Sequence, residues 1–479
     1  MTQSAEHMTE PGAELASRMR RPQRHRLLNG YPIAPLMLET PRPVRFLDAY
    51  EHDVSRPLII GILPHTFCNP ARRGCGFCTF PHERFNATAA HATTGAVGAE
   101  IRHAMHSVPS LRQRAVPAVY LGGGTANLGR PEDLDALLAE LAQAFDLRAA
   151  ELTLEGVPRY FTVRDHAMLG VLDRVACRQR RISMGLQTFD PVWLERMGRS
   201  AFGDAACVAS LAQEAHRRGF TVSADLLYNL PGTDANHAIR DLDTAIAMGF
   251  DQICAYNLVL STGMQSDWAK DKELTAGMPG NEQACATWLA VRDHLLRHGY
   301  VQRTLTNFER AEVAGSGRSF AYERLSFDAL HTDGLGFGPG AISTLTFAGG
   351  QAIKWTNVAT SADYRERTAG TVDSPVGQHF LYEDEDRRQL VLTRGIALGG
   401  IDGAGFAAAF GVAPGEAYGD LLAELERMQL LKPVDASRLH ALTPTGMFYA
   451  DAVVGFLSHR RLAALADAGR ELRSFHGHM

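Results

Sequence analysis

The chain has 479 residues, 48 basic against 53 acidic, and a net charge of −5. A near-balanced, slightly acidic composition argues against general nucleic-acid binding and against a basic membrane-facing surface, and the length allows a large core spread over two or three domains. No stretch is apolar enough to span a bilayer and no signal-peptide pattern opens the sequence, so a cytoplasmic location is expected.

Residues 1–54 read as a partly irregular arm carrying Arg18, Arg20, Arg21, Arg24 and Arg26. It is expected to be solvated and mobile, with a flap over substrate as the alternative. From about residue 57, short β-branched runs at 58–63, 118–122, 152–155, 181–187, 221–228 and 251–258 alternate with amphipathic stretches at 131–145, 205–218 and 238–248. This is the cadence of repeated βα units, and it predicts an α/β fold: a partial six-stranded parallel barrel over 55–300, with an open doubly wound sheet as the alternative. Residues 301–382, with the glycine-rich run 334–340, are expected to extend the barrel. Residues 383–479 read as a smaller helical, winged-helix-like domain, with a hairpin at 430–442 and an acidic helix around 416–426 that speaks against DNA as its partner.

The first strand is followed by Cys68, Cys75 and Cys78, and the second ends in Gly122, Gly123, Gly124 and Thr125. Three close cysteines can hold zinc together with His65 or His82, can be free thiols, or can bind a cubane iron–sulfur cluster with one iron left open. The glycine run and the strand-end position favour the cluster, because active sites of parallel barrels gather at the carboxyl ends of strands. The same rule makes Glu155, Gln187, Asp225 and Tyr256 converge with the glycine run. The remaining cysteines, Cys177, Cys207, Cys254 and Cys285, read as buried free thiols in a reducing compartment.

Taken in order, these segments resemble the radical S-adenosylmethionine (SAM) superfamily, and within it the oxygen-independent coproporphyrinogen III oxidase-like branch. The likeness runs from about residue 57 to the end. It is carried by Cys75-Gly76-Phe77-Cys78, by the glycine run, by residues 183–189 and Arg199, by residues 225–232, and by Asn307, Phe308 and residues 336–343. The resemblance implies that Cys68, Cys75 and Cys78 bind three irons of a [4Fe–4S] cluster and that SAM chelates the fourth. It places Phe77 near the adenine and Gly123, Gly124 and Thr125 along the methionine. Glu155, Gln187, Arg199, Asp225, Val259 and Ile342 would then line the site or sites of one or two SAM molecules.

Two departures stand out. Six residues separate the first two cysteines where the family has three, and Arg72 and Arg73 in that loop would raise the cluster's potential, or else form a solvated loop. Residues 62–67 carry no tyrosine, and His65 is displaced by one position from the histidine of porphyrinogen-decarboxylating members. The leading expectation is therefore a radical SAM enzyme of specialised metabolism that transfers SAM-derived carbon by methylation or cyclopropanation. The alternatives are porphyrin chemistry, by decarboxylation of coproporphyrinogen or modification of haem, and haem binding and delivery with His65, His82 or His331 as axial ligand. Tyr256 and His82 are the candidate proton or radical carriers, Tyr228 and Tyr256 having core packing as the plainer reading. The expected partners are a small-molecule substrate and an external electron donor of flavodoxin or ferredoxin type, with no nucleic acid and no membrane.

Overall fold

A computed structural model describes residues 11–24, 31–40, 45–69, 74–261, 263–369, 375–432 and 439–468. Arg26, Arg72 and Arg73 lie outside the described residues. The strands are β1 (Leu38–Glu39), β2 (Leu58–Ile62), β3 (Ala118–Leu121), β4 (Glu151–Gly156), β5 (Gln179–Gln187), β6 (Thr221–Tyr228), β7 (Gln252–Asn257), β8 (Tyr300–Gln302), β9 (Asn307–Arg310), β10 (Asp333–Phe337), β11 (Ile342–Thr346), β12 (Ala352–Asn357), β13 (Val376–Tyr382), β14 (Gly400–Asp402) and β15 (Leu439–Ala441). The first thirteen form one sheet in the order β1-β13-β12-β11-β10-β2-β3-β4-β5-β6-β7-β9-β8.

Strands β2 to β7 are neighbours in sequence order and all parallel. A doubly wound sheet would reverse order at a switch point, and none occurs here, so the singly wound, barrel-type alternative holds. β10 pairs parallel with β2, and β11 to β13 continue antiparallel from it. On the other side β9 pairs antiparallel with β7, and β8 pairs antiparallel with β9 at the edge.

Strand residues alternate in direction, which explains the polar interior. Leu152, Leu154, Ile182, Met184, Val222, Ala224, Leu226, Ile253 and Ala255 belong to the main core under the helices. The intervening residues, Glu151, Thr153, Glu155, Arg181, Ser183, Asp225, Cys254 and Tyr256, form a separate, hydrogen-bonded and charged set on the opposite face. Its amino-terminal end is plugged by the segment before Tyr322. Ala321 N donates to Glu151 at 2.6 Å, Phe320 N to Glu309 at 2.7 Å, and Gln179 Nε2 to the Arg318 carbonyl at 2.8 Å. That last bond explains why β5 begins two residues before the apolar pattern suggests. The helix Ala235–Ala247 likewise starts before the apolar run, because Asp234 caps it by accepting from His237 N at 3.1 Å.

The N-terminal arm departs from expectation. Over 11–24 it is docked, not solvated: Leu15 and Gln23 are buried, Asn257 Nδ2 donates to the Gln23 carbonyl at 2.7 Å, and Asn281 Nδ2 to the Met19 carbonyl at 2.6 Å. The described ends of the hairpin expected at 430–442 pair antiparallel: Leu431 bridges Leu442, Lys432 N donates to the Ala441 carbonyl at 2.8 Å and Thr443 N to the Leu430 carbonyl at 2.9 Å, while β15 also pairs with β14. Cys254 and Cys285 are buried as expected, but Cys177 and Cys207 are only half-buried. Among the described residues no helix is long and apolar enough to cross a membrane.

Candidate active site

Cys68 is held where the chain leaves β2. Its N–H donates to the Glu83 carbonyl at 3.0 Å, Glu83 N returns to the Thr66 carbonyl at 2.9 Å, and the Glu83 carboxylate accepts from the Thr66 hydroxyl and from Ser361 N. Asn69 Nδ2 ties the start of the long loop to the Gly198 carbonyl at 2.7 Å. On the return, Gly74 and Gly76 adopt φ of +78° and +81°, where a Cβ would strike the His82 ring and the Trp268 indole respectively. Cys75 then sits in an apolar cap with Trp193, Met197, Leu227, Leu258 and Trp268, and Phe77 packs edge-on to Trp268 at 5.7 Å.

The three thiols share one neighbourhood. Burial pushes the Cys68 thiol up to about 11, and the charges of Cys75 and Cys78 add to this while Thr125 opposes it. The Thr125 hydroxyl lies 3.3 Å from Cys68 Sγ, and Arg199 Nη1 donates to Cys75 Sγ at 3.2 Å. Three soft donors suit a multi-iron cluster, and polar groups set against the sulfurs, as Thr125 and Arg199 are, are of the kind that tune such a centre.

The glycine run lies directly beneath. A Cβ on Gly124 would stand 2.6 Å from the Phe67 carbonyl oxygen, and one on Gly122 would stand 2.6 Å from Glu155 Oε2, so only glycine lets this backbone pass between the cysteine loop and the lumen carboxylate. Thr125 N donates to the Phe67 carbonyl at 3.0 Å, locking the two loops together.

Below the mouth the lumen carries Glu155, Asp225 and Glu323. Glu155 accepts from the Tyr120 hydroxyl at 2.9 Å, and Ser183 Oγ stands 3.3 Å from Asp225 Oδ1. Burial raises Asp225 to about 7, helped by the nearby Glu155 charge, and raises Glu323 to about 7 although its Thr304 partner and Arg181 oppose it. Three enclosed acids face the buried Arg181 guanidinium, and the excess of acid favours a positively charged ligand. Arg181, fully buried, stacks its guanidinium 3.6 Å over Phe320 and donates to Gln252 at 2.6 Å.

The expected site residues are largely brought together. Cys68, Cys75, Cys78, Phe77, Gly123, Gly124, Thr125, Glu155, Asp225 and Arg199 surround the mouth, although Arg199 faces a cysteine sulfur and the Gly185 carbonyl. Gln187 ends β5 at a register shift with φ of +72°, a strained turn that directs its side chain back over Gly185. Tyr256 is 37% exposed and feels Cys254, Asp225 and Glu323, so it lines the lumen and is not core. Tyr228 is core, stacked on Trp288. Val259 lies half-buried in the loop after β7, and Ile342 opens β11 with its carbonyl against Gly336. His82 lies on the cluster loop, donating through Nδ1 to the Phe80 carbonyl at 2.7 Å. His65 is buried and pushed down to about 4 by burial, and His331 is an exposed partner of Asp328. Tyr120, Arg181, Ser183, Trp268 and Glu323 were not anticipated. The first three are legible as period-two polar positions within apolar strands, whereas Trp268 and Glu323 arrive from distant helices with no local signal.

No family model matches the chain. It is 26% identical over 282 residues to the heme chaperone HemW of Haemophilus influenzae, covering 56% of this chain and 67% of the relative. It is 34% identical over 186 residues to the anaerobilin synthase of Escherichia coli O157:H7, covering 38% of this chain and 40% of that protein. Among solved structures, the coproporphyrinogen III oxidase HemN of Escherichia coli, described as a radical SAM enzyme, superposes with a TM-score of 0.71 at 19% identity over 92% of this chain and 98% of its own. That likeness supports the parallel-strand core and the presence of a C-terminal region. None of these names mentions the expected carbon transfer.

Proposed function

We propose that the chain is a member of the radical SAM superfamily, within its HemN/HemW-like family, that it binds a [4Fe–4S] cluster through Cys68, Cys75 and Cys78, binds SAM beside the glycine run, and acts on a haem-type tetrapyrrole. The observation that carries the cofactor reading is the convergence of three thiols, a glycine cradle and two buried carboxyls at the carboxyl ends of β2, β3, β4 and β6. When bound, the cluster supplies one electron for cleavage of SAM to methionine and a 5′-deoxyadenosyl radical, the chemistry common to the superfamily.

The protein's part is binding, charge and shielding. Glycines 122–124 allow close backbone approach, Glu155 and Asp225 complement a sulfonium and amine, and Arg199 places positive charge beside a thiolate. The tryptophans over Cys75 exclude solvent from the cluster loop. Tyr256, accessible in the lumen with its phenol held protonated by burial, is placed to donate a hydrogen bond to substrate. An external flavodoxin- or ferredoxin-type protein serves as electron donor.

The tetrapyrrole reading rests on the relatives, which are named for haem, a bilin and coproporphyrinogen. The missing tyrosine in residues 62–67 turns the proposal toward haem and away from decarboxylation of coproporphyrinogen. The test is anaerobic reconstitution with iron and sulfide, followed by reduction with SAM in the presence of haem, of coproporphyrinogen III, or of neither. Haem should bind, shift its Soret band and increase 5′-deoxyadenosine. Absence of haem binding together with formation of S-adenosylhomocysteine would replace this reading with the methyl-transfer one.

A further inference from the structure

On the outer wall of the barrel, Asp243, His294 and His298 bring three metal-ligating atoms within 4.8 Å of one another. We propose that they form a site for one divalent transition cation of the zinc type, bridging the helix Ala235–Ala247 to the helix Asn281–Arg297.

The sequence prepares it. His294 and His298 are four residues apart at the end of one helix, so their imidazoles project from the same face, 4.2 Å apart between ring centroids. They also lie at the carboxyl end of the helix, where exposed carbonyls favour positive charge. Asp243 comes from the neighbouring helix and stands 2.7 Å from His294 Nε2 through Oδ1.

The hydrogen bonding selects the ligating atoms. His298 Nδ1 lies 2.8 Å from the His294 carbonyl oxygen, which can only accept, so the proton is on Nδ1 and the lone pair is on Nε2. A backbone carbonyl orienting the far nitrogen is the usual support of a metal-bound histidine. His294 is anchored, its side chain only 10% exposed, whereas Asp243 is 55% exposed and His298 is also exposed. One fixed and two adjustable ligands can close to the roughly 3.3 Å donor spacing of a tetrahedral zinc ion, with water completing the shell. Binding displaces the proton from His294 Nε2 to solvent. Two imidazoles and one carboxylate select zinc, cobalt or nickel over magnesium or calcium, which want oxygen ligands. The arginines of the same helix are turned elsewhere, Arg292 to Gln302 and Asp293, and Arg297 to the Asp293 carbonyl.

Both bridged helices support the mouth. Asp241, two residues before Asp243, accepts from Thr188 Oγ1 at 2.7 Å and Phe189 N at 2.9 Å just beyond β5. The other helix receives Asn229 Nδ2, from the end of β6, at the Ala284 carbonyl, 3.4 Å away. A cation here braces the strand ends from behind.

The test is anaerobic calorimetric titration of the reconstituted holoenzyme with zinc chloride, beside Asp243→Asn and His298→Ala, both changes at exposed positions. Wild type should take up one equivalent at least tenfold more tightly than either variant, and its Tm should rise with zinc while theirs does not. Cobalt(II) should give visible bands of nitrogen–oxygen ligation that are lost in both variants. Zinc uptake and Tm shifts equal in all three proteins, no uptake by wild type, or a cobalt spectrum dominated by sulfur charge transfer would each overturn the proposal.

Discussion

Arg199 donates through Nη1 to the sulfur of Cys75 at 3.2 Å, while its other nitrogen is held by the Gly185 carbonyl at the end of β5. The guanidinium is therefore fixed from the strand side and aimed at a cluster ligand. Hydrogen bonds and positive charge at cluster sulfurs raise reduction potential. Arg199→Met should lower the potential of the reconstituted centre by on the order of tens of millivolts, since 59 mV is a tenfold change for one electron. Arg199→Lys should fall between the two. EPR-monitored redox titration reads this directly, and three equal potentials would remove the role.

The glycines separate into tight and free positions. A Cβ on Gly338, at φ +104°, would run into the Leu63 carbonyl, whereas one on Gly219, at φ +79°, would meet nothing within 4 Å. Gly219→Ala should cost about 1 kcal/mol from backbone strain alone. Gly338→Ala should cost several times as much, because backbone must shift between β2 and the turn after β10. Chemical denaturation of the two variants checks the ordering, and similar losses would contradict it.

Asp225 sets a pH dependence. Its folded value, raised to about 7 by burial and by Glu155, lies above the ordinary carboxylate range. Between the unfolded value and about pH 7 the folded state therefore binds more protons than the unfolded state, and stability falls as pH rises through that window. The ligand-free protein should melt progressively lower from pH 5 to pH 8, with a shallower slope in Asp225→Asn. SAM, which carries positive charge, should bind wild type more tightly above pH 7 than at pH 6, and Asp225→Asn should lose that gain. Thermal melts and equilibrium dialysis across this range test both signs.

Trp268 covers the cluster loop. Its N–H backbone group binds the Gly76 carbonyl at 3.0 Å, and its ring packs on Phe77 and on Trp193, each at 5.7 Å. Trp268→Ala should destabilise by about 3–5 kcal/mol and open the thiolates to oxygen. The absorbance of the reconstituted protein should bleach several-fold faster in air. Unchanged bleaching would mean that the aromatic cap does not shield the cluster.

The barrel strands are legible as short β-branched runs alternating with amphipathic helical stretches. Asp225 and Glu155 could be picked out as polar strand ends. The docking of residues 11–24 was not legible, because Gln23 is an ordinary polar residue whose burial depends on Asn257 and Ala452, far away in the chain. Glu323 and Phe320 escaped for the same reason. They enter the lumen from a segment that plugs the barrel from below, and no local periodicity reports a plug. The family resemblance places Arg199 in the SAM pocket, and only the folded geometry shows its nitrogen directed at Cys75.

The most direct measurement is mass spectrometry of 5′-deoxyadenosine after anaerobic reduction of the iron- and sulfide-reconstituted protein with SAM, beside Cys68→Ala, Cys75→Ala and Cys78→Ala. Wild type should carry about four irons and four sulfides per chain and form 5′-deoxyadenosine, which each variant should fail to form. A wild-type protein that retains zinc, takes up no sulfide and forms no 5′-deoxyadenosine would contradict it.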